Sequence, residues 1–292
     1  MVWACVPRVD GDPVFSALLD NKHWDSKEAR GFWAIELENC VAVEQHYIRN
    51  TPILVTRQSD GQGNAIEIFD FCPRHKHKGR MYRPVAFARI VRPAAGSPRI
   101  RVRLRPTTSW GKENVPVTYG SNHIRMVLSY MAMRISTNAP IGLIAQESWF
   151  RLESDMHFFM GPDEGFSDAL RPAIERMLDD TILEWQLWVR GLAIPPEWQE
   201  AVIRSAITLK LCQHEETGAI VAALTTSIPE HADSGRNWDY RYCWVRDAYY
   251  TVEALNRLGA LDVLETYLVY LRNIVDGAKG GHIQPLYDVR GN

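Results

Sequence analysis

Asn237-Trp238-Asp239-Tyr240-Arg241-Tyr242-Cys243-Trp244-Val245-Arg246-Asp247 is the stretch on which the reading of this chain turns. Four of its eleven residues are Trp or Tyr and four more are charged. Such a mixture suits a dry core poorly, because every buried charge needs a partner or water. It suits the wall of a sugar site. Flat aromatic faces stack on the C–H face of a pyranose, and carboxylate and guanidinium groups hydrogen-bond its hydroxyls. Upstream lie Thr225-Thr226-Ser227-Ile228-Pro229-Glu230 and the loop-like His231-Ala232-Asp233-Ser234-Gly235. Downstream an amphipathic helix is expected from Val245 to Arg257, ended by Leu258-Gly259, where Gly is a favoured C-terminal cap. The stretch therefore sits where a loop enters a helix, a usual place for binding residues.

Two further segments extend the pattern. Thr217-Gly218-Ala219-Ile220-Val221-Ala222-Ala223 precedes Thr225–Glu230, and the chain opens Val2-Trp3-Ala4-Cys5-Val6-Pro7-Arg8-Val9-Asp10, followed by Val14-Phe15-Ser16-Ala17-Leu18-Leu19-Asp20. With the aromatic loop, these resemble glycoside hydrolase family 15, the inverting glucoamylases, and especially its prokaryotic branch of glucoamylases, glucodextranases and some trehalases. The resemblance implies an N-terminal β-domain, which the opening segments would begin. It also implies an (α/α)6 barrel whose first helix and first active-site loop would fall at Thr217–Glu230. On that reading the chain is an N-terminal fragment carrying the first three or so barrel helices.

Composition bounds the answer independently. The 292 residues suggest about two domains. A formal net charge of −2 gives no general affinity for nucleic acid or anionic membrane. Arg99-Ile100-Arg101-Val102-Arg103-Leu104-Arg105 reads as a strand with one solvated basic face rather than a polyanion site. Cys5, Cys40, Cys72, Cys212 and Cys243 are odd in number and unpaired in spacing, which points to a reducing compartment. Cys72-Pro73-Arg74-His75-Lys76-His77 lacks the second ligand pair of a zinc site. The start lacks the pattern of a signal peptide, and no apolar run approaches membrane-spanning length. A soluble, cytoplasmic chain without metal or cofactor is expected.

Along the chain, short extended segments come first. They are Ala34–Glu38, Cys40–Tyr47, Pro52–Arg57, Ala65–Phe71, Val85–Val91, Ile100–Leu104, His123–Tyr130 and Gly142–Phe150, with helical periodicity only at Val14–Leu19. The pattern predicts a large antiparallel β-sandwich over residues 1–165. Helical period then holds through Asp168–Arg190, giving linker helices within 166–196. Amphipathic helices follow at Glu197–Gln213, Val245–Arg257 and Leu261–Val275; the resemblance implies that 197–292 is the start of an incomplete (α/α)6 barrel. The fold class is thus multi-domain β plus α.

Inverting glycoside hydrolysis needs an acid and a base on opposite faces of the scissile bond. By the resemblance both are glutamates beyond Asn292, so no catalytic residue is assigned. The substrate-holding half remains. Arg246 and Asp247 match the family's pair for the terminal glucose, although the same pair reads as a helix-start element. A carboxylate beside a guanidinium suits a standing acceptor rather than a proton donor. Tyr240, Tyr242 and Trp244 alternate to one side of an extended stretch. Trp244 and Tyr242 are sugar-contact candidates, Tyr240 and Cys243 read as packing beneath the loop, and Trp238 as platform or anchor. Asn237 and Asp239 read as loop-ordering. Glu230, His231 and Asp233 have no geometric case as alternatives.

The resemblance implies an exo-acting α-glucosidase that releases glucose from the non-reducing ends of α-glucans, the fragment alone being inactive. An α,α-trehalase on the same scaffold is the alternative. A reading of another class is a non-catalytic glucan-binding or structural module, with Trp33 or Trp110 as its exposed platform. The expected partner is an α-glucan or α-glucoside, with neither nucleic acid nor membrane.

Overall fold

A computed structural model of the chain describes residues 1–19, 26–166, 168–224, 231 and 234–292. It is a mixed β and α fold of two compact units: Met1–Pro7 with Asp12–Gln186, and Arg8–Gly11 with Leu187–Asn292.

The first unit is built on strands β1 (Phe32–Leu37), β2 (Cys40–Tyr47), β3 (Leu54–Asp60), β4 (Ala65–Phe71), β5 (Phe87–Ala95) and β6 (Arg99–Arg105). These are followed by β7 (Val117–Tyr119), β8 (His123–Val127), β9 (Ala132–Thr137), β10 (Phe150–Arg151) and β11 (Met156–Pro162). Eight of them form one antiparallel sheet in the order β7-β8-β9-β11-β5-β4-β3-β2, and β10-β6-β1 form a three-stranded sheet. One face of the large sheet gives Ile66, Ile68, Val91, Met133, Ile135 and Phe158 to a core that also takes Trp33, Ile35, Leu37, Ile100 and Val102 from the small sheet. The other face gives Phe71, Ala88 and Ile90 to a second core with Ile174 and Leu178 of helix α2 (Leu170–Arg190). Period-2 alternation explains both, since neighbours such as Ile90 and Val91 point to opposite faces.

Gly142–Phe150 is not a strand. Ile141–Ala145 is a short helix, α1, with Pro140 at its cap position. Ile141 and Ile144 lie three apart and are both buried, so one helical face satisfies them together. Val14–Leu19 is not helical throughout. Pro13–Phe15 is a buried strand paired with Ala4–Cys5, and only Ala17–Leu19 makes a 3-10 turn. β9 has no counterpart in the sequence reading, although buried Met133 and Ile135 alternate along it. The arginines of β6 are not a solvated basic face. Arg101 and Arg103 both bond Glu36, at 2.6 and 2.8 Å, and Arg105 bonds Glu147 at 2.7 Å. Register explains this, because Arg101 stands opposite Glu36 on β1. Trp33 is 1% exposed, edge-on to Phe158 at 5.6 Å and beneath the Arg89 guanidinium, so it cannot serve as a platform. Trp110 is 47% exposed.

The second unit holds α3 (Gln199–Leu211), α4 (Val245–Arg257) and α5 (Leu261–Gly277). Their inner faces bury Ala206, Val252, Leu255, Val263, Tyr267, Tyr270 and Ile274 in one core. Thr217–Ala223, placed by the family resemblance in a barrel helix, is not helical. Ile220 bridges Gln213, Thr217 Oγ1 donates to the Val289 carbonyl at 2.6 Å, and Gly218 sits at φ 84°. A Cβ at Gly218 would lie 2.1 Å from the Thr266 carbonyl oxygen, so close backbone approach requires glycine there. No described helix is long and apolar enough to cross a membrane. None of the five cysteines is joined in a disulfide. Among the described residues no group of three or more His, Cys, Asp or Glu is placed to hold a metal ion.

Candidate functional site

The aromatic loop enters α4 through a two-residue strand, β12 (Cys243–Trp244), paired antiparallel with β13 (Leu286–Tyr287). The Ala222 and Ala223 amides donate to the Tyr242 and Tyr240 carbonyls at 3.0 and 2.8 Å, and the Val245 amide donates to the Pro285 carbonyl at 3.1 Å. The loop is thus pinned on both edges. The extended stretch expected over Tyr240–Trp244 is confined to Cys243–Trp244, because Tyr240 and Arg241 form a turn and Tyr242 a bend; burial nevertheless alternates along it. Arg241 and Cys243 are 2% and 0% exposed, whereas Tyr240 is 38% exposed and Tyr242 and Trp244 are half-buried. Cys243 packs beneath the loop as expected, and burial raises its thiol pKa. Tyr240 does not; it lies on the open side with Tyr242 and Trp244.

Trp238 is 50% exposed and meets Trp244 edge-to-face, 6.2 Å between ring centres at 85°. The Trp244 indole is held, its Nε1 donating to the Asp239 carbonyl at 3.1 Å. Trp244 also occupies the cap position of α4 without a side-chain cap bond, and Asp247 falls in the first helical turn. Arg246 donates from Nη2 to Asp247 Oδ2 at 3.1 Å, with side chains 73% and 36% exposed. A guanidinium so exposed contributes little to the fold. Its donors and the carboxylate's remaining lone pairs stand available for hydroxyls. Trp238, Trp244, Arg246 and Asp247 therefore lie at one loop-to-helix junction, with half-buried Tyr242 in the bend just before the strand.

Sequence reasoning missed the anchor of this junction. Arg241 binds Asp239 at two points, Nε to Oδ1 at 3.0 Å and Nη2 to Oδ2 at 2.7 Å. Its Nη1 donates to the Gly11 and Val9 carbonyls at 2.9 and 3.4 Å. The one local signal was position: Arg241 stands two residues before Cys243, and both are buried. The loop-ordering expectation for Asp239 is met, since its Oδ1 accepts the Arg241 amide at 3.0 Å. Thr225–Glu230 and Asp233 lie outside the described residues, and no role emerges for His231.

Residues 197–292 match the family model of Glycosyl hydrolases family 15. Nearly the whole chain, 98%, aligns at 27% identity with 46% of a Trehalase of Thermoplasma volcanium. A Trehalase of Thermoplasma acidophilum matches at 27% over 98% of the chain and 49% of its own length. A Trehalase of Mycolicibacterium smegmatis matches at 27% over 97% and 45%. The chain thus spans about half the length of the curated relatives it matches. No solved structure matches. The family resemblance read from the sequence holds, and the relatives' names fall on the trehalase side of it.

Proposed function

We propose that this chain, whose residues 197–292 carry the family 15 pattern, is the substrate-holding part of a glycoside hydrolase whose substrate is trehalose. The observation that carries the reading is the exposed Arg246–Asp247 pair, set two residues after a held, half-buried Trp244. The trehalase names of the similar proteins favour a disaccharide of two glucoses over the α-glucan first expected. In this reading α3, α4 and α5 are the opening helices of an (α/α)6 barrel, and residues 1–165 an accessory β-sandwich.

Chemically, Arg246 and Asp247 fix the terminal glucose by complementary donors and acceptors, while Trp238 and Trp244 supply the apolar wall. Such a site rejects a wrong epimer by leaving charged groups unpaired. The proton donor and the base that activates water are assigned to no residue of this chain. Cleavage with inversion needs both.

The test is glucose release from trehalose, maltose and a short dextrin by the polypeptide encoded by the complete reading frame. Trehalose turned over well above the other two supports the reading. Preference for dextrin returns the assignment to a glucan hydrolase, and release from none of the three removes the hydrolase reading.

A further inference from the structure

Arg241 is a charge with 2% exposure. Burying a guanidinium is costly unless its donors are well met, and an apolar side chain of similar volume often serves stability as well. The arginine here does something a hydrophobe cannot. Its fork joins Asp239 to the Gly11 and Val9 carbonyls, tying the aromatic loop to residues 8–11, a segment grouped with Leu187–Asn292 and not with its sequence neighbours.

That segment has a second attachment. Arg8 binds Asp10 at two points, 2.8 Å each, and reaches Asp288 at 3.6 Å. Asp288 follows β13, which pairs with Cys243–Trp244. The strap from Arg8 to Gly11 therefore closes a ring: Arg241, the strap, Asp288, β13 and back to β12. Asp239 couples this ring to the open side. Its carboxylate is held by Arg241, and its carbonyl holds the Trp244 indole. Trp244 then meets Trp238 and stands two residues before Arg246.

We infer that Arg241 is a positioning residue: by clamping the strap Arg8–Gly11 to Asp239 it sets the pose of Trp244, and through it the glucose-facing surface of the loop. The inference rests on the reading of this loop as the sugar-holding site. A lysine at 241 retains the charge but supplies one point where the fork supplies several. Asparagine at 239 retains shape and removes the charged acceptor.

The experiment uses the 292-residue chain. Glucose is titrated against wild type, Arg241→Lys and Asp239→Asn, followed by intrinsic tryptophan fluorescence well below each melting midpoint. Acrylamide quenching reports the exposure of Trp244 against a Trp244→Phe reference. Wild type should saturate, both variants should bind roughly tenfold more weakly or worse, and the quenching assigned to Trp244 should rise. The paired variant Arg241→Lys/Asp239→Asn should lose less than the sum of the single changes, because the two residues act as one clamp. Should Arg241→Lys fail to fold, Asp239→Asn alone decides. Wild-type affinity in a folded variant, or unchanged quenching of Trp244, overturns the positioning role while leaving the sugar site standing. A wild-type chain that gives no saturable response overturns the site reading and the inference together.

Discussion

Arg246 and Asp247 are neighbours in the first turn of α4, joined by one hydrogen bond of 3.1 Å, and the arginine is 73% exposed. An exposed pair of this kind holds little of the fold together. Removing it should therefore separate binding from stability. Arg246→Ala is expected to change unfolding free energy by no more than about 0.5 kcal/mol. On the proposed trehalose-hydrolase reading, the same change should cost about 2–5 kcal/mol of substrate interaction. Asp247→Asn should lose a similar amount of kcat/KM. Thermal melts and steady-state kinetics on the same preparations check both. A large fall in Tm with unchanged specific activity of the folded fraction makes the pair a helix-start element only.

Helix α2 is fastened to the large sheet by His157 and Arg92, which both meet the Glu175 carboxylate, at 2.8 and 2.7 Å. His157 is fully buried. Glu175→Ala leaves that imidazole without its acceptor and should destabilise the first unit by about 1–3 kcal/mol. Urea unfolding followed by far-ultraviolet circular dichroism measures the change; an unaltered midpoint contradicts it.

Asp288 has a carboxyl pKa held below its ordinary value. Burial pushes it up, and is outweighed by the Asn292 backbone and side chain, the Arg290 amide and the Arg8 guanidinium. A depressed folded-state pKa contributes stability above the unfolded value, near pH 4, and that contribution is lost as pH falls through the folded value. Asp288→Asn should therefore be less stable than wild type at pH 7 by about 0.5–1.5 kcal/mol. The gap should narrow as the medium is acidified below pH about 4. Melting profiles of both proteins from neutral to acid pH give the comparison, and a gap that widens toward acid contradicts it.

Gly218 is required by collision rather than by flexibility. Its φ of 84° and the 2.1 Å approach of the Thr266 carbonyl to a Cβ act together. Gly218→Ala should cost about 2–4 kcal/mol, combining left-handed strain with overpacking against backbone. Equilibrium denaturation measures it, and a loss under about 0.5 kcal/mol, the ordinary surface scale, contradicts it.

Much of the secondary structure was legible because period is a local signal. Val245–Arg257 is a helix as read, burying Ala248, Val252 and Leu255, and Cys40–Tyr47 and Ala65–Phe71 are strands as read. Gly142–Phe150 was misread because its apolar residues are too few to separate a period of two from one of 3.6. Thr217–Ala223 was misplaced by the family pattern, since the contact that bends it, Gly218 against Thr266, is distant in sequence. The alternate burial of Arg241, Tyr242, Cys243 and Trp244 followed the reading, although the extended backbone it assumed is confined to Cys243–Trp244. The support of the loop could not be read: the Gly11 carbonyl lies 230 residues from Arg241, and nothing local announces that a backbone oxygen there will meet a guanidinium.

The central claim is that sugar is held at the start of α4, and the most direct test is a trehalose titration of the 15N-labelled chain. The chain has ten tryptophans, so each indole N–H gives its own resonance once assigned by substitution. The account predicts saturable shifts at Trp238 and Trp244, absent in Arg246→Ala while its spectrum otherwise remains that of a folded protein. Shifts confined to Trp110, or no saturable shift at Trp238 and Trp244, would contradict it.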